Sequence, residues 1–418
     1  MAEVAGRPEF PIAFDTTQSH DSTTRLTKED PHMRKYGDEA LLTPGPVNVP
    51  NRVLEASARP LLHYRTPKFA AQLRTILAGM KEVFQTRNDV LLVHGTGRAG
   101  LEATISNLFS AGEEVLSVCN GRFGVMYSDI AERYGLKVAK VATDWTKDID
   151  LDEVRTALRA HPKIKAMTCP HCETSTGVVN DVEGLGKLAR EFDKLLLVDA
   201  VSSLGGIEFH FDDWGVDAAA TGSQKGLMSP PGLGFVALSD RAWKAAETAT
   251  LPHYYFDFHD IRRAAQAESP GTPGTAPVTL VAAASEAISM LLEEGLQNVW
   301  VRYEKMSSAV RAGFVASGLT LFPENVRRRS PTVAVVEAPA GFESSDLIRT
   351  LTEEFGLIPA SGLGSLTPKI LRFGTMGSFY QREALITVAA VEAALVKMGV
   401  NKEAGAGVKA CVKALFGG

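Results

Sequence analysis

Short apolar runs and helical apolar stripes alternate along this chain from about residue 41 onward. Val90–His94, Glu114–Asn120, Lys163–Thr168, Leu195–Val198 and Ala218–Thr221 are short and mainly apolar, the pattern of strands buried on both faces. Between them, Leu101–Leu108, Met126–Tyr134 and Val182–Phe192 repeat apolar residues at helical spacing, with Gly135 stopping the second. Gly234–Leu238 reads as a further strand after the Pro230-Pro231-Gly232 turn. Alternation of this kind predicts an α/β domain whose mostly parallel sheet is covered by helices on both faces.

Long helical patterns at Val278–Leu292 and Val299–Ala316 lead into a different grouping. A strand at Thr332–Glu337, a helix at Ser345–Phe355, a strand at Ile370–Phe373 and a helix at Arg382–Met398 predict a smaller α+β domain. The expected division is a large domain over 41–292, a small domain over 293–400 and a tail over 401–418, with Ala404–Phe416 at helical spacing. Residues 1–40 are polar, as in Thr16-Thr17-Gln18-Ser19-His20 and Lys28-Glu29-Asp30, and read as a poorly packed extension. No internal repeat and no low-complexity tract interrupts this order.

Composition narrows the class. Of 418 residues, 45% are hydrophobic and 22% charged, with a formal net charge of −5. That balance offers no field for nucleic acid or an anionic membrane. No apolar stretch reaches the roughly 18 residues of a membrane span, and the first 40 residues carry no apolar secretory core. Cys119, Cys169, Cys172 and Cys411 are too few for a disulfide framework. Reduced thiols in a cytoplasmic setting fit them better.

Candidate chemistry falls at the ends of successive strands, where open α/β sheets bind ligands. His94-Gly95-Thr96-Gly97-Arg98-Ala99-Gly100 follows a strand and opens a helix, so its free N–H groups can hold an anion. The same glycines spell a dinucleotide fingerprint, but the next strand ends in Cys119-Asn120 rather than the ribose-binding acid. Asp199 stands directly after the apolar run Leu195–Val198, a position for a helix cap, a metal ligand or a carboxylate facing a bound ring. Lys225 sits among small residues in Thr221-Gly222-Ser223-Gln224-Lys225-Gly226. It either reaches solvent or, partly buried near positive charge, becomes a nucleophilic amine. Phe123, between glycines in Gly121-Arg122-Phe123-Gly124, either packs in the core or stacks on a flat ligand.

Cys169-Pro170-His171-Cys172 has the spelling of a thiol oxidoreductase motif, but it ends a strand instead of opening a helix. Two cysteines and one histidine also form an incomplete zinc set, so no metal site is expected.

Val198-Asp199-Ala200-Val201-Ser202-Ser203-Leu204-Gly205-Gly206 followed by Gly222-Ser223-Gln224-Lys225-Gly226 resembles the class V aminotransferases. The resemblance covers Leu41 to about Met398 and implies the type I PLP-transferase fold with pyridoxal 5′-phosphate (PLP) as cofactor. Within the class, Thr43-Pro44-Gly45-Pro46 and Glu173-Thr174-Ser175-Thr176-Gly177 resemble the opening and cofactor loops of the alanine/serine–glyoxylate aminotransferases. The Gly121–Gly124 and Thr96–Gly100 segments are similar to ureidoglycine–glyoxylate aminotransferase.

By this resemblance, Lys225 carries the cofactor, Asp199 pairs with its pyridine nitrogen, and Phe123 and Val201 cover its two faces. Thr174 bonds the ring hydroxyl oxygen. Thr96, Gly97, Arg98 and Gln224 hold the phosphate. Thr275 reaches the phosphate in a partner subunit, which implies a homodimer with shared sites. Arg372 takes the substrate carboxylate, and Gly45 lies in the substrate loop. The implied reaction moves an amino group from alanine, serine, aspartate or ureidoglycine to glyoxylate or pyruvate by a ping-pong route. Thr272 stands where the ureidoglycine enzymes carry asparagine. A same-fold lyase is the alternative, but no cysteine lies between Lys225 and Arg372, and Gln224 precedes the lysine where desulfurases have histidine. A non-catalytic binding protein on the same fold is opposed by the intact Lys225 and Asp199.

Overall fold

The computed structural model describes residues 39–417. The extension expected over 1–40 therefore lies almost wholly outside the described residues.

Seven strands form the central sheet: β1 (Asp89–His94), β2 (Glu114–Cys119), β3 (Lys137–Ala142), β4 (Ile164–Pro170), β5 (Leu195–Asp199), β6 (Ala218–Gly222) and β7 (Leu233–Leu238). Their spatial order is β1-β7-β6-β5-β4-β2-β3. The run from β6 through β3 is parallel, and β7 is antiparallel to both of its neighbours. The parallel strands therefore end together at one edge of the sheet. Successive residues on a strand face opposite ways. Leu196 and Val198 accordingly join one apolar cluster and Leu195 and Leu197 the other. That two-sided burial is why these strands read as continuous apolar runs rather than as alternation.

Helix α1 (Gly97–Leu108) begins four residues before the expected Leu101, so the glycine-rich turn is itself the first turn of helix. Close packing on the sheet explains it. A Cβ at Gly100 would lie 3.1 Å from Ala220 Cβ and 3.2 Å from Val236 Cγ2. Helix α2 (Arg122–Arg133) likewise starts immediately after β2. Edge strand β3 and the helices at Asn51–Ser57, Pro67–Phe84, Leu151–Ala160, Asp240–Thr248 and Phe258–Ala265 are not predicted by the pattern. β3 is half exposed and lacks an apolar run.

The C-terminal part holds a three-stranded antiparallel sheet in the order β8-β10-β9, from β8 (Val333–Glu337), β9 (Ala360–Ser361) and β10 (Ile370–Gly374). Helices at Leu296–Ala316, Ser344–Phe355, Gln381–Lys397 and Ala406–Phe416 surround a third apolar cluster containing Phe314, Leu347, Phe373, Val391 and Cys411. The expected boundary at residue 41 needs correction. Ala40–Leu41 pairs with Leu357–Ile358, and Leu42 joins the third cluster. The chain thus leaves the small domain before entering the large one, which carries the Thr43–Pro46 loop across the interface. Among the described residues, no helix is long and apolar enough to cross a membrane.

Candidate active site

At the carboxyl edge of the sheet lies a cavity of about 240 Å³. Gly45, Thr96, Gly97, Arg98, Phe123, Thr174, Asp199, Val201, Gln224 and Lys225 all line it, so ten residues singled out from the sequence meet in one place. Leu101, Met126 and Ser202 line it as well and are not singled out by the sequence reading. Leu101 and Met126 each lie three residues after a predicted wall residue, one helical turn along the same face; that spacing is the available signal.

Asp199 ends β5 and is 4% exposed. Its Oδ1 accepts a 2.9 Å hydrogen bond from Val201 N, and the His171 N–H holds the Asp199 carbonyl at 2.9 Å. Burial pushes the Asp199 carboxyl up to about 7, against the opposing effect of the Val201 hydrogen bond. Lys225 follows β6. Its ammonium contacts the Pro44 carbonyl, and its pKa is pushed down to about 8, chiefly by burial and then by the Arg372 guanidinium. A lysine so shifted reaches its neutral, nucleophilic form near physiological pH.

The α1 N-terminus opens onto the same cavity. Thr96 occupies its N-cap position without using its side chain there, leaving that hydroxyl uncommitted to the helix. A Cβ on Gly97 would crowd Val201, at 3.0 Å from Cγ1, and would lie 3.3 Å from Gly222 N. The glycine thus lets the helix end approach the Val201 wall. Gln224 Oε1 is buried and has no hydrogen-bond partner among the described residues. Anion-binding helix terminus, buried carboxylate, neutralisable lysine and flanking Phe123 and Val201 suit a flat phosphorylated pyridine.

Arg372 does not line the cavity wall but stands beside it. It lies in β10, opposite Val335 and Ala360, and is 7% exposed. Its Nε donates to Ser361 O at 2.8 Å and Nη1 to Thr174 O at 3.4 Å. Burial lowers its pKa to about 10, and the Glu173 carboxylate opposes that shift. Thr275 is exposed and outside its own chain's cavity. Cys169 and Cys172 are buried free thiols, and burial holds Cys172 up at about 11.

The class-V aminotransferase family model matches residues 49–380. The chain therefore belongs to the class V aminotransferases, and it is a PLP-dependent transaminase. It is 36% identical to L-aspartate–glyoxylate aminotransferase of Paracoccus denitrificans, over 88% of this chain and 94% of that one. It is equally 36% identical to a protein named soluble hydrogenase, small subunit, of a Synechococcus strain, over 90% of this chain and 98% of that one. The crystal structure of ureidoglycine–glyoxylate aminotransferase from Bacillus subtilis superposes with a TM-score of 0.86 at 31% identity, covering 90% of this chain and 98% of that one.

Proposed function

We propose that this transaminase carries PLP on Lys225 and transfers the amino group of a small amino acid to glyoxylate. The observation that carries the reading is the meeting of a buried carboxylate, Asp199, and a pKa-depressed lysine, Lys225, in one cavity at a helix N-terminus. The names of relatives support the acceptor, since both the Paracoccus and the Bacillus enzymes are named for glyoxylate.

PLP, when bound, supplies the carbonyl that takes the donor's amine and a ring that accepts its electron pair. In this reading Thr96, Gly97, Arg98 and Gln224 hold its phosphate, and Phe123 and Val201 confine the ring. Thr174 bonds the ring oxygen. Asp199 keeps the pyridine nitrogen protonated. Arg372 holds the substrate carboxylate with its planar fork, beside Gly45. Lys225 would take the α-proton on Nζ as a general base and give it back as a general acid.

Two copies of the chain complete the site in this reading. Thr275 is exposed, and Leu61, Tyr254 and Tyr255 expose 72%, 92% and 63% of their surface on the same large domain. The compartment proposed is the cytoplasm, on the grounds of four free cysteines.

A screen of alanine, serine, aspartate and ureidoglycine, each added to the PLP-loaded enzyme, tests the donor. Bleaching of the visible band by one of them, restored by glyoxylate, is the expected result. Restoration by pyruvate and not by glyoxylate would overturn the acceptor.

A further inference from the structure

Glu173 stands beside the cavity residue Thr174, is fully buried, and is absent from the cavity wall. Its carboxylate nevertheless gathers four hydrogen bonds. Oε2 accepts from Phe123 N and from Gly124 N, each at 2.9 Å. Oε1 accepts from Ser175 N at 3.0 Å and from Ser175 Oγ at 2.5 Å. Ser175 Oγ in turn accepts from Arg122 N at 2.9 Å. The first three N–H groups of α2 are therefore all capped by another segment of the chain.

Such capping is an unusual choice. A helix start is ordinarily satisfied by its own N-cap side chain, with Ser, Thr, Asp or Asn preferred. Here the N-cap is Gly121, which has none. Its lack of a Cβ is required by the arrangement: one placed there would run into the Glu173 side chain and lie 2.6 Å from Ser175 Oγ. A local cap at residue 121 would thus push the Glu173 loop away. Burying a carboxylate is costly unless it is fully hydrogen-bonded, and this one sits at the positive end of a helix dipole with each oxygen taking two donors. What the arrangement achieves is a link between the start of α2, which carries Phe123, and the turn that carries Thr174, and both residues line the cavity.

We propose that Glu173 is a positioning residue of the transamination: it locks the α2 start to the Thr174 loop and so fixes the Phe123 ring, without touching cofactor or substrate. The proposal rests on the reading that Phe123 and Thr174 line the PLP site. It requires a carboxylate. In a glutamine, an amide NH₂ would replace one oxygen and face either the Phe123 and Gly124 N–H groups or the Ser175 N–H, donors that it cannot accept from.

Glu392 provides a matched control far along the chain. It is 2% exposed and accepts from Gly405, Gly407 and Val408 N–H groups, capping the Ala406–Phe416 helix in the same manner. Glu173→Gln and Glu392→Gln are compared for melting temperature, PLP affinity of the cofactor-free protein, visible circular dichroism per bound PLP, and kcat. Both should lose stability. Only Glu173→Gln should weaken PLP binding, reduce the visible band by about half or more, and lower kcat by about tenfold or more, because small misplacements at a reacting centre are costly. In a Phe123→Leu background the effect of Glu173→Gln on PLP affinity should shrink, since the two residues act in series. If Glu173→Gln does not fold, Ser175→Ala takes its place in the same comparisons with smaller effects of the same direction. Equal effects of the two glutamine variants, or full additivity with Phe123→Leu, would overturn the proposal. Failure of the wild type to take up PLP at Lys225 in that titration would overturn both it and the reading beneath it.

Discussion

Gly45 and Lys225 are packed against each other so closely that a Cβ on Gly45 would lie 2.5 Å from both Lys225 Cε and Nζ. Gly45 also holds φ at +126°, a backbone conformation that side chains strain. The loop arrives from the small domain, where the preceding Leu42 is anchored, and roofs the lysine. Gly45→Ala therefore faces steric overlap and backbone strain at once. It should cut turnover by about 100-fold or more, and the visible band formed on adding PLP should weaken. Wild-type turnover in the purified variant would remove Gly45 from the site.

The protein should be a homodimer in solution, because Thr275 is exposed outside its own cavity and the proposed reading gives it the phosphate of a partner subunit. Light scattering on the active enzyme checks it. A fully active monomer would contradict shared sites.

Asp199 couples function to stability with a definite sign. Burial raises its folded pKa to about 7 from an ordinary aspartate value of 3.8. Its contribution is fully present below pH 3.8 and is lost as pH rises toward 7, because the unfolded chain ionises first. In the cofactor-free protein, Asp199→Asn removes that loss. The variant should gain on the wild type by about 2–4 kcal/mol between pH 4 and pH 8, while retaining PLP poorly and reacting slowly. Melting curves of both cofactor-free proteins from pH 4 to 8 decide it. A pH-independent difference would mean that Asp199 is ionised throughout.

Much of the fold and the site is legible in the amino-acid sequence, for particular reasons. Asp199 ends a buried strand and Lys225 follows another by three residues, and a polar residue at or just past an apolar run is visible without knowing the fold. Arg98 and Phe123 stand out because glycines bracket them. Glu173 does not, because two of its four partners, the Phe123 and Gly124 N–H groups, belong to a segment some fifty residues away, and only the Ser175 pair lies in its own neighbourhood. Edge strand β3 is hidden because half-exposed strands carry no apolar run. The α1 start is expected too late because glycines read as turn, whereas tertiary packing against Ala220 and Val236 overrides their weak helix propensity.

Arg372 should govern both half-reactions, since donor and acceptor each present a carboxylate. Removing a desolvated charge partner typically costs about 2–5 kcal/mol. Arg372→Ala should raise the KM for amino donor and oxo acid together while PLP stays bound, and Arg372→Lys should rescue only in part. Steady-state kinetics with both substrates varied are the check. Release of PLP would instead assign Arg372 to structure or phosphate binding, with Arg98 as the next candidate for the carboxylate.

The identity of the lysine that holds the cofactor tests the central claim most directly. PLP-loaded enzyme is reduced with borohydride, digested, and mapped by mass spectrometry, beside Lys225→Ala treated in the same way. The account predicts the label on the peptide containing Lys225, none at stoichiometric level in the variant, and no turnover by a variant that still folds. A label on another lysine, or wild-type turnover by Lys225→Ala, would contradict it.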